Sequence, residues 1–159
     1  MDQYALSGKY VDKQLLYRFN EGNASDAYDL FGCHWIEDAQ CWRFVLWAPH
    51  AKNVAVIGDF NGWNGQDMVK LDCGVWAAFI SEAYPGNVYK YRIETWDGRF
   101  LEKADPFAFH CETGPLTGSK VWPMDKLPWH DEKFLKQRNQ TDPFASPMSI
   151  YEVHIASWK

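Results

Sequence analysis

Short apolar segments separated by turn residues constrain the fold of this chain more than any other feature of its sequence. The segments are rich in Val, Ile and aromatic residues, and most are closed by Gly, Pro, Asn or Asp, which is typical of strands joined by turns. The predicted strands cover residues 41–48, 53–60, 67–71, 75–80, 88–96 and 100–102. No helical pattern long enough for a crossover lies between them, so the sequence predicts an antiparallel β-sandwich or barrel and disfavours a parallel α/β sheet.

Residues 88–96 show the clearest strand periodicity. Their side chains alternate in two rows, Val88, Lys90, Arg92 and Glu94 against Tyr89, Tyr91, Ile93 and Thr95. Because successive side chains of a strand point to opposite faces, Lys90 is expected to be exposed on the face opposite the two tyrosines. The turn at 96–99, W-D-G-R, then returns the chain as a hairpin into residues 100–102.

Aromatic residues make up 17% of the chain, which has nine Trp. This density indicates β structure, a flat platform for a ligand, or both. Three tryptophans lie in the middle of predicted strands and are therefore predicted to be core residues, namely Trp42, Trp47 and Trp76.

The charge of the chain narrows its possible partners. The 159 residues include 16 Lys and Arg against 21 Asp and Glu, for a net charge of −5. An acidic chain without a Lys/Arg cluster is poorly suited to nucleic acid or to an anionic membrane, whereas an uncharged sugar polymer is compatible with it. The N-terminus shows no secretory signal, and no apolar run approaches the roughly 18 residues of a membrane helix, so a cytoplasmic location is expected.

Four cysteines, at positions 33, 41, 73 and 111, include no C-x-x-C motif. In a reducing compartment they are expected to remain buried thiols. Cys33 precedes His34 and Cys111 follows His110, but neighbouring residues of a strand face opposite ways, so each pair offers only one ligand. The sequence therefore predicts neither a metal site nor a cofactor.

The segments that flank the predicted sandwich differ in character. Residues 1–31 carry helix-spaced apolar residues over 11–19 and are predicted as a helical lead-in to a sandwich over 32–115. Residues 116–147 are Pro-rich and aromatic, which indicates an ordered linker. Residues 148–159 begin a new apolar strand that has no partner in the sequence, and we interpret them as the first strand of a missing domain, exposed in this chain.

Several motifs, in chain order, resemble one family. Three segments resemble the carbohydrate-binding module that precedes the catalytic barrel of glycogen and starch branching enzymes. They are L-W-A-P-H-A-K-N-V-A-V-I-G-D-F-N-G-W at 46–63, G-N-V-Y-K-Y-R-I at 86–93 and K-A-D-P-F-A at 103–108. The first barrel strand of these enzymes is similar to S-P-M-S-I-Y-E-V-H-I-A-S-W at 146–158. The lead-in of bacterial branching enzymes is similar to residues 19–34.

The resemblance implies an all-β fold, an immunoglobulin-like antiparallel β-sandwich, with residues 148–159 as the truncated first strand of a missing (β/α)8 barrel. It also implies that the parent protein is a 1,4-α-glucan branching enzyme, which cuts an α-1,4 glucan and reattaches the piece through an α-1,6 bond by retaining carboxylate chemistry. The carboxylates of that reaction belong to later barrel strands, so no catalytic residue is expected here, and Asp59 and Glu152 are assigned no such role. The implied partners are an α-glucan, such as glycogen, amylose or a maltooligosaccharide, and the missing barrel.

The resemblance further implies a sugar site. Sugars stack on an exposed aromatic ring, and polar side chains bond their hydroxyls. In glycogen-binding modules similar to this one, including that of the AMP-activated protein kinase β subunit, the Trp that matches Trp63 stacks on glucose and the Lys that matches Lys90 bonds hydroxyls. That kinase module has a second stacking Trp after its D-G turn, where this chain has Phe100, and Trp96 before the turn is the alternative platform.

The predicted site residues each have a structural alternative. Asn61 and Asn64 could bond sugar hydroxyls, or could serve only the turn in which they lie. Trp63 could pack at the rim of the sandwich, and Lys90 could be an ordinary solvated strand residue. For the whole chain, the alternatives to a glucan-binding module are a structural support domain for the barrel and a glycogen-targeting module of a regulatory protein, the latter disfavoured by the barrel-strand motif.

Overall fold

Two antiparallel sheets form the first part of the chain. The computed structural model describes residues 2–124 and 130–157; residue 1, residues 125–129 of the predicted linker and residues 158–159 of the predicted barrel strand lie outside the described residues. The chain divides into two units between Met124 and Asp125. The strands are β1 (Gly32–Ile36), β2 (Cys41–Trp47), β3 (Asn53–Gly58), β4 (Gln66–Asp67), β5 (Val69–Lys70), β6 (Val75–Ile80), β7 (Val88–Glu94), β8 (Phe100–Lys103), β9 (His110–Cys111) and β10 (Ser119–Lys120). The first sheet has the order β1-β2-β6-β5, and the second has the order β4-β3-β7-β10-β9 with β8 paired to β7.

The two sheets pack face to face around the main core. β2 contributes Trp42, Phe44 and Leu46 to this core, and β7 of the second sheet contributes Tyr89 and Tyr91. The rings of Phe44 and Tyr89 meet edge to face with their centroids 5.1 Å apart. This arrangement confirms the predicted all-β, immunoglobulin-like sandwich.

Helices cover the outer face of the first sheet. α1 (Gln3–Tyr10) begins after Asp2 and α2 (Lys13–Asn20) after Asp12, and each aspartate side chain accepts N–H groups of the first helical turn. A 3₁₀ helix follows at Ala27–Asp29. One cluster joins apolar residues of the lead-in to those of the sheet, namely Val11, Leu15, Leu16, Ala27, Leu30 and Phe31 with Cys41, Val45, Val75, Ala77 and Phe79. The first sheet is therefore buried on both faces, which explains the nearly unbroken apolar sequences of β2 and β6.

A buried arginine fastens the lead-in to the first sheet. Arg43 of β2 is 8% exposed, and its guanidinium donates to the carbonyls of Tyr10 at 2.6 Å, Asp29 at 2.8 Å and Leu30 at 3.2 Å. Burial lowers the pKa of this guanidinium. Backbone carbonyls serve here in place of the carboxylate that a buried cation usually pairs with, so the end of α1 and the 3₁₀ helix are held at one point.

The strand predicted over 67–71 divides between the two sheets. β4 pairs with β3 of the second sheet, whereas β5 pairs with β6 of the first. Met68, between them, is 4% exposed, and its N–H donates to the carbonyl of Val54 at 2.9 Å. The chain thus passes from the second sheet to the first within one buried residue, Met68. The apolar pattern of the segment does not reveal this change of sheet.

The prediction that the mid-strand tryptophans are core residues is confirmed for Trp42 and Trp76 but is wrong for Trp47. Trp47 ends β2 and is 49% exposed. Its indole N–H donates to the carbonyl of Cys73 at 3.1 Å, and its ring meets that of Phe19 edge to face. A strand end lies at the rim of the sandwich, where a large ring finds packing on one side only.

The cysteines divide by position rather than sharing one environment. Cys33 and Cys41 are buried free thiols, as predicted, whereas Cys73 and Cys111 are exposed. Cys73 lies in a turn before β6, and Cys111 lies on β9, at the edge of the second sheet. The prediction of four buried thiols is therefore wrong for Cys73, which lies in a turn, and for Cys111, which lies on an edge strand.

The second sheet continues past residue 115, where the predicted sandwich ends. β10 pairs with both β7 and β9. Gly118 permits this approach, because a Cβ there would lie 2.3 Å from Cγ1 of Val88. Ser119 is fully buried, and its hydroxyl accepts the N–H of Asp105 at 2.8 Å. The first residues of the predicted linker over 116–147 thus belong to the sheet.

The second unit has little regular structure in its described residues. It contains α3 (Glu132–Gln140) and a 3₁₀ helix at Ile155–Ser157. Residues 148–154 form no strand, and Ile150 is 82% exposed. A strand is stable only beside a hydrogen-bonded neighbour, and none of the described strands pairs with this segment, which explains the difference from the predicted barrel strand.

Asp105 lies buried at the junction of several segments of the second sheet. Its Oδ2 accepts the hydroxyls of Tyr89 at 2.7 Å and Tyr91 at 3.1 Å, and its Oδ1 accepts the N–H of Phe107 at 2.8 Å. Through its own N–H it also bonds Ser119 of β10. Burial raises the pKa of Asp105 above its ordinary 3.8, and the hydrogen bonds oppose this shift only in part.

We expect Asp105→Ala to lower the free energy of unfolding by about 2 to 5 kcal/mol, because two buried hydroxyls lose their acceptor. Urea unfolding followed by circular dichroism measures the change. In a Tyr89→Phe/Tyr91→Phe background the same substitution should cost clearly less, because no hydroxyl is left without a partner. An equal cost in both backgrounds would contradict the role assigned to Asp105.

The raised pKa of Asp105 also predicts a pH dependence. The folded protein keeps the Asp105 proton to a higher pH than the unfolded chain, so the stabilisation from this group is complete below about 3.8 and is lost as the pH rises through the folded-state pKa. We expect the stability of the native protein relative to Asp105→Asn, which cannot ionise, to fall as the pH rises above about 3.8. Urea midpoints of both proteins at matched pH test this, and a relative stability that increases with pH contradicts it.

Candidate functional site

The turn after β3 holds Trp63 in a strained backbone conformation. A 3₁₀ helix at Asp59–Asn61 and the left-handed Gly62 lead into Trp63, which has a φ of 63° and is 37% exposed. The left-handed region costs a bulky residue about 1 kcal/mol or more, so it persists only where surrounding contacts enforce it. One such contact is the Trp63 N–H, which donates to the carbonyl of Gly58 at 3.0 Å.

Asp59 fixes the indole ring of Trp63. Its Oδ1 accepts the indole Nε1–H at 3.2 Å, and its Oδ2 accepts the N–H of Val88 at 2.8 Å. One carboxylate thus ties the edge of a partly exposed ring to the first residue of β7. Sequence reasoning found no role for Asp59; the signal that could have revealed it is an Asp placed four residues before a Trp within one Gly/Asn turn.

The two asparagines of this turn have different surroundings. Both polar atoms of the Asn61 amide bond the backbone at the end of β3, because its Oδ1 accepts the N–H of Gly58 at 3.0 Å and its Nδ2 donates to the carbonyl of Val56 at 2.9 Å. Asn64 is exposed, and its Nδ2 donates to the carbonyl of Asn61 at 3.2 Å. This geometry favours the turn-supporting alternative for Asn61 and leaves Asn64 at the surface.

Lys90 lies in the outward row of β7, beside the Trp63 turn. It is directly opposite Ile57 of β3, the residue before the glycine whose carbonyl bonds the Trp63 N–H. The Lys90 side chain is partly exposed, and its Nζ donates to Oγ1 of Thr117 at 2.9 Å. Sequence reasoning missed Thr117, because the loop before β10 reaches Lys90 only through the tertiary fold.

Arg92 follows Lys90 in the outward row of β7 and was not among the predicted site residues. Its Nη2 donates to Oε1 of Glu102 at 3.0 Å and to the carbonyl of Trp63 at 3.3 Å, and its Nη1 lies 3.5 Å from the carbonyl of Asn64. One guanidinium thereby connects the Trp63 turn with β8. The alternation of 88–96, which puts Lys90 and Arg92 on the same face, is the signal that could have found it.

Arg92 also lines a groove of about 330 Å³ on this outward face. Ala55, Asn64 and Phe100 contribute to the same groove. Phe100 is 64% exposed at the start of β8. The structure therefore brings Asn64 and Phe100 together, next to the turn of Trp63 and to the outward row of β7.

Trp96 is not brought into this group. It lies in the turn between β7 and β8 and is 74% exposed, and it does not line the groove. The turn itself is closed by Thr95, whose N–H donates to the carbonyl of Arg99 at 2.9 Å. Of the two aromatic residues predicted as a second platform, Phe100 is the one that the fold places beside Arg92.

Most charges around the groove are paired. The ion pairs are Lys52–Glu94 at 2.5 Å and Arg92–Glu102 at 3.0 Å, whereas Asp67 accepts a hydrogen bond from the neutral amide of Asn53 at 3.1 Å. The surface thus offers many donors and acceptors without a concentrated charge of one sign, which suits an uncharged polyhydroxyl ligand better than an anion. Within residues 2–124 and 130–157, no cluster of three or more His, Cys, Asp or Glu side chains could hold a metal ion.

Comparison with known protein families assigns the sandwich. Residues 30–108 match the family described as carbohydrate-binding module 48, the isoamylase N-terminal domain. The chain therefore carries a family 48 carbohydrate-binding module. The matched residues include the Trp63 turn, the outward row of β7 and the groove, and they end before β9 and β10.

Longer proteins similar to this chain include branching enzymes. A 1,4-alpha-glucan branching enzyme GlgB from Synechococcus sp. is 46% identical over 89% of this chain. Another, from Synechocystis sp., is 42% identical over 99% of it. This chain spans about a fifth of their length, 19% and 21% respectively. These relatives confirm the resemblance to branching enzymes that the motifs indicated.

A solved structure supports the fold of the module. A crystal structure of a Salmonella typhimurium protein superposes with a TM-score of 0.52 over 65% of this chain and 16% of its own, at 23% identity. At that identity the likeness concerns the fold alone. Within the part of this chain that the structure describes, no helix has the length and apolar character needed to cross a membrane.

The strained backbone of Trp63 predicts an unusual order of stability among its variants. We expect Trp63→Gly to be more stable than Trp63→Ala by about 1 kcal/mol, because glycine adopts a positive φ without strain whereas alanine keeps a Cβ. Urea unfolding of the two variants side by side measures the difference. At an ordinary surface position the order is reversed or absent, so an alanine variant at least as stable as the glycine variant would refute the strain.

Proposed function

We propose that this chain is the α-glucan-binding module that stands N-terminal to the catalytic domain of a 1,4-α-glucan branching enzyme. The observation that carries the proposal is Trp63, a partly exposed ring kept at a positive φ and tied by Asp59 beside the outward Lys90, within a family 48 module. The identity to branching enzymes over most of this chain supports the choice of parent enzyme. Formation of α-1,6 branches, in this proposal, is the work of residues outside this chain.

The chemistry of the site matches what a glucan needs. The face of the Trp63 indole stacks on the C–H-rich face of a glucose ring. Nζ of Lys90 donates to its hydroxyls, and the hydroxyl of Thr117 can both donate and accept. Because Asp59 and the Gly58 carbonyl already hold Trp63 in place, binding requires little ordering of the ring, which favours affinity.

The module would act by tethering. A weak site raises the local concentration of polymer near a catalytic domain in the same chain, so even millimolar affinity is useful. The proposed partners are glycogen or a similar α-glucan and the catalytic barrel. Exposed apolar side chains in the second unit, Ile150, Val153 and Ile155, support a barrel as the surface that covers them. Four free cysteines support a cytoplasmic location.

The second candidate function is a structural domain that supports the barrel without binding sugar. It is favoured by the internal bonds of Trp63 and Lys90, whose polar atoms already contact Asp59 and Thr117. It is also favoured by Phe100, which offers a smaller ring than the second Trp of the kinase module. The binding experiment below separates the two functions.

We expect maltoheptaose to shift the NMR signals of residues 60–64 and 88–100, because these contain the ring and the donors of the site. Trp63→Gly, which relieves the turn but removes the ring, should weaken binding by about 2 kcal/mol, or roughly thirtyfold in Kd. Tyr17→Ala is the matched control, because Tyr17 is a 67% exposed aromatic residue on α2. Unchanged affinity in Trp63→Gly would overturn the Trp63 site, because the sugar would then bind elsewhere. The absence of shifts in the native protein would leave the structural function in its place.

A further inference from the structure

The inward row of β1 is buried at one end and open at the other. Cys33 and Trp35 are two residues apart and point to the same face, and Trp35 lies directly opposite Trp42 of β2. Cys33 and Trp42 are buried in the main core, whereas Trp35 is 39% exposed. The core-facing side of the first sheet is therefore partly uncovered at Trp35.

A groove of about 310 Å³, which we call the Trp35 groove, occupies this opening. Trp35 and Trp42 line it with their ring centroids 5.5 Å apart, and Tyr84, Pro85 and Pro123 form the other walls. None of the described residues that line it carries a charge. In this respect the Trp35 groove differs from the groove on the outward face of the second sheet, which has several charged and amide groups.

Backbone hydrogen bonds hold the walls of the Trp35 groove. In the turn at 84–87, the N–H of Asn87 donates to the carbonyl of Tyr84 at 3.0 Å, and its Oδ1 accepts the Tyr84 N–H at 2.7 Å. Val121 bonds this turn in both directions, because its N–H donates to the carbonyl of Asn87 at 2.9 Å and its carbonyl accepts the N–H of Gly86 at 2.8 Å. These bonds fix both segments that carry the prolines of the groove, so an occupant has little backbone to order.

The lining of the Trp35 groove selects an apolar occupant. The indole N–H of Trp35 already donates to Oε2 of Glu37 at 2.6 Å, so the ring offers mainly its apolar face. Pro85 and Pro123 have no backbone N–H to donate. A sugar needs several donors and acceptors beside a stacking ring, and a charged peptide needs a charge of opposite sign. Aliphatic or aromatic side chains need neither, and their burial stabilises the contact by about 25 cal/mol for each Å² of apolar surface.

The course of the chain indicates where such side chains come from. Pro123 lies one residue before Met124, at which the first unit ends, and Trp122 and Met124 are exposed apolar residues as well. Any domain that follows in the same polypeptide is tethered beside the groove, and tethering gives an effective concentration of the order of millimolar. This chain spans only 19% and 21% of two similar branching enzymes.

The size of the groove also favours a tethered partner. A separate protein, or a second copy of this chain, needs an interface of about 1,000 Å² or more to form a stable complex. A single groove of about 310 Å³ is small for that purpose. A domain of the same polypeptide loses less freedom on docking, so a small apolar contact is enough to hold it.

We propose that the Trp35 groove is the surface by which this module docks on the catalytic barrel of the same polypeptide, with an apolar side chain of the barrel between Trp35 and Tyr84. This inference rests on the parent enzyme proposed above but does not require the module to bind sugar. The groove opens between the sheets, whereas Lys90 and the Trp63 turn lie on the outward side of the second sheet. Docking through the groove therefore leaves the candidate sugar site uncovered.

Solvent accessibility in two proteins tests the docking surface. Hydroxyl-radical footprinting with mass spectrometry is applied to this chain alone and to the complete branching enzyme that contains it. Trp35 and Tyr84 should react about fivefold less in the complete enzyme, because the core of an interface excludes water. Full reactivity of both residues in the complete enzyme overturns the proposal.

A charge placed at the rim of the groove should undo the protection. Tyr84 is 67% exposed, so Tyr84→Glu should leave the urea midpoint of this chain unchanged. In the complete enzyme it should return the reactivity of Trp35 to within about twofold of its value in the chain alone, because docking would bury an unpaired carboxylate. Pro123→Glu repeats the test from another wall of the groove.

Tyr17→Glu is the matched control, because Tyr17 on α2 is also 67% exposed and does not line the groove. It should leave Trp35 protected in the complete enzyme. If Trp35 stays protected in both groove variants, or loses its protection equally in Tyr17→Glu, the groove is not the docking surface.

The outcomes separate the docking surface from the function proposed above. Reactive Trp35 and Tyr84 in a complete enzyme that forms branches overturn the docking and leave the Trp63 site standing. Protection of Trp35 in an enzyme whose module binds no oligosaccharide supports the docking and assigns the module to structural support. Protection of Trp35 in the chain alone, by maltoheptaose or by a higher protein concentration, would reveal a sugar site or self-association and overturn the docking. If the complete protein forms no α-1,6 branches, the proposed parent enzyme and its docking surface fail together.

Discussion

The hydrogen bonds of the buried Asp105 carboxylate are the interactions on which the outward face of β7 depends. Tyr89 and Tyr91 form the inward row of β7, and both of their hydroxyls end on the same oxygen of Asp105. Because the inward and outward rows belong to one strand, a contact that fixes the tyrosines also fixes where Lys90 and Arg92 emerge on the other side. A polar interaction in the core thereby sets the spacing of polar groups at the surface. An apolar contact of the same size would be less directional and would locate that strand less well.

The two sheets use their outer faces differently, and this difference decides where a ligand can bind. The lead-in helices cover the first sheet, and Arg43 holds them there through backbone carbonyls. Only the second sheet keeps a broad outward face with polar side chains, and the Trp63 turn folds along one part of it through its contact with Arg92. The helical segment therefore affects where a ligand can bind without contacting the candidate site, because it covers the outer face of the first sheet.

Local patterns in the sequence were enough to predict the features that depend on neighbouring residues. The alternation of 88–96 fixed both rows of β7, and the Gly/Asn turn pointed to Trp63, because period and turn chemistry act over a few positions. Features that depend on distant partners were missed. The Lys90–Thr117 hydrogen bond, the passage of the chain between the sheets at Met68 and the bonds of Arg43 to backbone carbonyls form only in the folded sandwich. No pattern within one segment encodes the other segment, so the fold class was predictable while the contact between Lys90 and Thr117 was not.

The positive φ of Trp63 has a consequence for anyone who tries to improve this protein. Glycine is the residue that the backbone prefers at this position, so the tryptophan is retained against local conformational preference. A selection for heat resistance alone would favour its loss, and the resulting module would fold better while lacking the ring that we propose stacks on the glucan. Thermal stability and the proposed glucan binding thus favour different residues at position 63. Directed evolution of this module therefore needs a screen for binding as well as a measurement of thermal stability.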